Sequence, residues 1–138
     1  MAVNPRTKAR ARALQMLYAW EMQGAPGVSG VADGLVRISG KVPTGFEDAE
    51  RLACAVIAEI PALDRTAAAA ADNWRLERIG VVERNILRLE IYELRQGVVP
   101  PRVAINEGVQ LAHWFGGLKS PAFVNGVLDR IAHDLGRL

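Results

Sequence analysis

SPAFVNGVLDRI, residues 120–131, carries two opposed signals. Asn125-Gly126 is a hairpin dipeptide, because a type I′ turn needs positive φ at both central positions. Its surroundings are helical instead. Ser120 can cap a helix, Pro121 suits the first turn, and Val124, Val127, Leu128, Ile131 and Leu135 recur at helical spacing. At about 100° per residue, Gly126 falls with Ala122, Asp129 and His133 on the face opposite that stripe, with Asn125 at one edge. A glycine exposed in a helix costs about 1 kcal/mol relative to alanine. In return it offers a shallow spot where another backbone can come close. Two readings follow: a binding surface floored by Ala122 and Gly126 with Asn125 as its hydrogen-bonding group, or a helix that breaks at Asn-Gly or is covered by a neighbouring loop.

Punctuation elsewhere divides the chain into helices. Asn4-Pro5 is a cap and first-turn pair, opening a helix that runs to Gly24 with Ala9, Ala13, Met16, Leu17 and Trp20 on one face. The glycine-rich stretch 24–45 holds only GLVRI, residues 34–38, as a short second helix. Thr44 and Glu47 match a capping box for a third helix that ends before Pro61. Pro61 opens an alanine-rich fourth, reaching Trp74, and RLERIG then reads as a loop. Residues 82–96 form a fifth, stopped by Gly97 and two prolines. Pro101 opens a sixth, closed by Gly116 and Gly117, and Ser120 begins the seventh. In the sixth, Gly108 lies at the centre of the stripe made by Ala104, Ile105, Leu111, Ala112 and Phe115, where it lets two helices cross closely. With no strand pattern or repeat, the fold class is all-α, about seven helices in a bundle.

Length and composition suit one domain: 138 residues, 50% apolar, 23% charged, net charge +2. The single cysteine, Cys54, forms no internal disulfide, reads as a small buried hydrophobe and suits a reducing compartment. No apolar run reaches a membrane span and no signal-peptide core is present, so a soluble cytoplasmic protein is expected.

Charge is not spread evenly. Arg6, Lys8, Arg10 and Arg12 put four cations in seven residues, and no acidic residue precedes Glu21. Lys8 and Arg12 project to one side of the first helix's apolar stripe and Arg10 to the other. Such a segment is either a solvated helix end or a phosphate-binding one, since guanidinium groups bond phosphate bidentately. Lys119 stands before the N-terminus of the last helix, where free N–H groups also attract anions. Trp114, off the apolar stripe, is the better surface candidate for stacking on bases, while Phe115 and Phe123 read as core from spacing alone. In the fifth helix, Glu83, Glu90 and Glu93 share the apolar arc, so either arginines from other helices pair with them or that face meets a partner. Tyr18 and Met22, away from the first helix's core stripe, also suggest a partner.

Nothing assembles a catalytic site. His113 and His133 lack metal-ligand spacing with each other or with Cys54, no glycine-rich phosphate loop follows a strand, and no nucleophile or oxyanion site is supplied. A binding protein without cofactor or metal is expected, not an enzyme.

RTKARARALQMLYAW at the start, VERNILRLEIYEL, VPPRVAINEGVQLAHWFG and the closing FVNGVLD together resemble the NusB transcription antitermination proteins. The resemblance implies two small helical subdomains packed together, about 1–60 and 61–138. It implies binding of boxA RNA together with NusE, a small-subunit ribosomal protein, in a complex with NusA, NusG and RNA polymerase that promotes transcription of ribosomal RNA operons. It places Arg6, Lys8, Arg10, Phe115, Gly116, Phe123 and Asn125 on the RNA side, to which the residues' own chemistry adds Arg12, Lys119, Ser120 and Gly126. Tyr18, Met22 and Glu83 fall on the NusE side. Thr7 and Ala122 stand where the family often has basic residues; Lys119, one turn from position 122, restores a charge there. Two rivals are the NusB-like RNA-binding domain of ribosomal RNA cytosine methyltransferases, against which 138 residues are expected to leave no room for a methyl-donor domain, and a protein-only helical adaptor that could be a homodimer.

Overall fold

The computed structural model describes residues 4–24, 46–71 and 78–138, all of whose regular elements are helices. Among the described residues there are six: α1 (Pro5–Met22), α2 (Phe46–Ala58), α3 (Ile60–Ala70), α4 (Val81–Gln96), α5 (Pro101–Phe115) and α6 (Ser120–Asp134). The GLVRI helix and the Thr44 end of the capping box lie outside the described residues. The chain forms two compact units, Met1–Ala58 and Glu59–Leu138.

In the first unit α1 packs on α2. Asn4 caps α1 as expected: its Oδ1 accepts from the Arg6 N–H at 2.8 Å, and Pro5 follows in the first turn. Ala9, Ala13, Met16 and Leu17 are buried, and Ala49, Ala53 and Val56 of α2 are buried with them. Thr7, Arg10 and Leu14 are buried too, a second stripe along α1.

In the second unit α5 lies against both α4 and α6, with α3 on α4. The expected stops are where chain chemistry puts them. Gly97 ends α4 in the left-handed conformation at φ 69°, which favours glycine. Pro101 opens α5. Gly108 is the close-approach point: a Cβ there would sit 2.8 Å from Leu128 Cδ1 and 3.0 Å from Glu90 Cγ. Helices α4, α5 and α6 therefore meet over a position that only glycine fills without displacing a neighbour. Ile86, Leu89, Leu111, Leu128 and Ile131 complete a core that excludes water almost fully.

On α4 one charged pair crosses to a neighbouring helix with full geometry. Arg88 grips Asp64 of α3 with both faces of its fork, Nε to Oδ1 at 2.7 Å and Nη2 to Oδ2 at 2.9 Å. Its third nitrogen, Nη1, donates to Asn85 Oδ1 at 3.0 Å, and Asn85 Nδ2 donates in turn to the Val81 carbonyl at 3.0 Å. Glu90 is fully buried in the same helix. Glu83 bonds to a serine hydroxyl, described next.

Candidate nucleic-acid interface

The face of α6 that carries Asn125-Gly126 is exposed. Both residues are exposed, as is Ala122, while Val124, Val127, Leu128 and Ile131 are buried on the other side. Among the described residues nothing comes within 4 Å of where a Gly126 Cβ would be. The helix is unbroken from Ser120 to Asp134. A kinked helix and a covering loop, the alternatives left open by spacing, are thus absent among the described residues, and the glycine opens a shallow floor with Asn125 beside it.

The approach to α6 is held by short-range chemistry. Ser120 is buried, and its hydroxyl accepts from the Gly117 N–H at 2.9 Å while donating to Glu83 Oε2 of α4. A Cβ at Gly116 would press on Ser120 Cβ at 2.6 Å and on the Ala112 carbonyl oxygen at 2.9 Å. Gly116, expected on the RNA side, therefore has a packing reason to be glycine. Ser120, expected there as well, has its hydroxyl committed to internal bonds. Glu83, expected to face a partner, is half-buried and anchors Ser120.

Beside this anchor lies a cleft of about 210 Å³. Arg78, Ile79 and Gly80, which precede α4, form one wall together with Glu83. Lys119, Ser120 and Phe123, at the start of α6, form the other. The 78–80 segment is pinned by Arg84, whose Nη1 donates to the Ile79 carbonyl at 3.1 Å. Arg78 and Lys119 are exposed and Phe123 is half-buried. At the end of α5, Trp114 and Phe115 form an edge-to-face pair with centroids 6.4 Å apart and are 45% and 38% exposed. Phe115 is therefore a surface aromatic, not the core residue its spacing suggests.

In the first unit the cations divide. Arg6 and Lys8 are exposed, and Arg12 is partly so, with Nη1 on Gln15 Oε1 at 3.2 Å. Arg10 is only 4% exposed. Expected among the RNA-facing cations, it instead lies along the buried Thr7–Leu14 stripe, where an arginine stem can cover apolar surface. The signal was in the sequence: Arg10 sits three residues after Thr7 and four before Leu14, a helical face in its own right. Tyr18 and Met22 are exposed at 43% and 56%.

No group of three or more His, Cys, Asp and Glu able to hold a metal occurs among the described residues. Burial, and then the nearby Glu50 carboxylate, push the Cys54 thiol above its ordinary pKa, so it stays protonated near neutrality and is a poor nucleophile. No described helix is long and apolar enough to cross a membrane.

Known proteins resemble the chain throughout. The family model described as NusB family matches residues 7–133. A protein of Sorangium cellulosum named transcription antitermination protein NusB is 42% identical over 99% of this chain and 97% of its own length. One of the same name from Anaeromyxobacter sp. is 42% identical over 94% and 91%. Among solved structures, one of antitermination factors NusB and NusE in complex with dsRNA superposes with a TM-score of 0.80 at 27% identity, covering 96% of this chain and 99% of that one. With a family model matching residues 7–133 and a relative 42% identical over 99% of its length, the chain belongs to the NusB family.

Proposed function

We propose that this chain is a transcription antitermination factor that binds boxA RNA together with NusE and keeps RNA polymerase transcribing ribosomal RNA operons. NusA, NusG and the polymerase complete the assembly in the cytoplasm, and the chain contributes binding, not catalysis. Membership of the NusB family and the likeness to a NusB–NusE–RNA complex support this reading. The observation in the chain itself that carries it is the open Gly126 position, an exposed helix glycine with nothing among the described residues within 4 Å of where its Cβ would be.

The first unit offers RNA Arg6, Lys8 and Arg12 of α1; the second offers Phe115 and Phe123 as aromatic platforms, and Lys119, Asn125 and Gly126 of α6. Cations draw the phosphates and unpaired bases stack or bond to Asn125. Arg10 and Ser120 act from beneath, as supports for α1 and for the start of α6. Tyr18 and Met22 of the first unit and Glu83 of the second are each assigned to contacts with NusE, and joining two RNA-binding proteins raises effective concentration at the RNA.

Titrating a single-stranded boxA oligonucleotide across a salt series, with and without NusE, tests this. Lys8→Ala and Lys119→Ala should each make the log–log salt slope shallower by about 0.7, one phosphate contact on a single strand. Unchanged slopes in both variants would take these cations out of the interface. Glu83→Gln can still accept from Ser120 but removes a charge. Weaker NusE capture with helicity intact is expected, and undiminished capture would move the partner surface elsewhere.

A further inference from the structure

The cleft between the 78–80 segment and the start of α6 combines features that the RNA surface above does not use together. Its mouth carries two exposed cations, Arg78 and Lys119, against one carboxylate, Glu83, already bonded to Ser120. Its walls are an aromatic ring, Phe123, and the buried Ile79. At about 210 Å³ it lies below the roughly 300–1,000 Å³ typical of small-molecule pockets. Cationic rim, aromatic wall and small volume match the two recognition elements of an unpaired nucleotide, a phosphate and a π-face. The segment that brings Arg78 there is held by the Arg84 bond to the Ile79 carbonyl, so the wall is built before any ligand arrives.

We propose that this cleft seats one unpaired nucleotide of the bound RNA, its base against Phe123 and its phosphate between Arg78 and Lys119. The assignment of Arg78 rests on the RNA-binding reading above and extends it to the 78–80 segment. Arginine suits the role because its planar fork engages phosphate oxygens in pairs, while Lys119 serves as a point charge.

Fluorescence anisotropy with a labelled single-stranded boxA oligonucleotide and the full chain tests the proposal. Arg78→Ala, at an exposed position, should weaken binding about fivefold near 0.1 M salt and make the salt slope shallower by about 0.7. Placing an abasic site at each nucleotide in turn should reveal one position where loss of the base costs about tenfold with the parent chain and almost nothing with Phe123→Leu, which keeps an apolar side chain. If the parent does not bind RNA, alone or with NusE, the functional reading itself fails. If the parent binds but Arg78→Ala leaves affinity and slope unchanged, or the abasic penalty persists in Phe123→Leu, the cleft proposal alone is overturned. Reduced NusE capture by Arg78→Ala with an unchanged RNA slope would also overturn it, by giving the cleft to the protein partner.

Discussion

Gly126→Glu should fold and melt like the parent chain yet bind boxA RNA at least about tenfold more weakly, a loss of roughly 1.4 kcal/mol. Room is not the limiting factor within the fold, since nothing among the described residues lies within 4 Å of the Cβ position. Helix propensity favours the change, because glycine in a helix interior costs about 1 kcal/mol relative to other good helix formers. The loss comes from outside. A side chain on the floor beside Asn125 holds the RNA backbone off, and a carboxylate repels its phosphates. Gly126→Ala separates the two effects: it should raise thermal stability by up to about 1 kcal/mol and weaken RNA binding only modestly. Full RNA affinity in Gly126→Glu would remove the small face of α6 from the interface and leave its glycine unexplained.

Asp64→Ala is the substitution expected to cost most in stability. Arg88 is nearly buried and its Nε and Nη2 are both held by Asp64, whose own side chain is 23% exposed. Removing one member of a buried pair leaves the other charge without its compensation, which typically costs 3–5 kcal/mol. The partial exposure of Asp64 and the remaining bond to Asn85 argue for the lower end, about 3 kcal/mol. Chemical denaturation should show the midpoint falling at constant m-value. A change below about 0.5 kcal/mol, the range of ordinary surface substitutions, would mean that Arg88 finds solvent once released and that the α3–α4 clamp contributes little. Asp64→Asn is informative beside it, because an amide retains one acceptor for the guanidinium and should recover part of the loss.

How legible these features were in the sequence depends on how local their causes are. The Asn4-Pro5 start, the Gly97 stop and the Pro101 start were readable because each acts through its own backbone dihedral or cap. Gly108 and Gly126 were distinguishable by periodicity alone, one at the centre of an apolar stripe and the other opposite it, and the geometry at each matches that difference. Arg10 is buried on the Thr7–Leu14 face, a helical spacing that its charge hides in the sequence. Phe115 is the opposite case: hydrophobicity suggests burial, but it ends α5, where the next turn no longer covers it. The clamp of Arg88 on Asp64 spans 24 residues and the bond of Ser120 to Glu83 spans 37. No periodic pattern links residues at such separations, so the partners of the acidic α4 face and the cleft that includes Arg78 became visible only in three dimensions.

The cations of α1 and the exposed face of α6 are both proposed to bind RNA. Amide chemical-shift mapping of the isotope-labelled chain during titration with boxA RNA addresses this most directly. The amides of Arg6 and Lys8 and those of Asn125 and Gly126 should move together, with one common midpoint. Shifts confined to one of these regions, or two midpoints that separate as salt is raised, would contradict it.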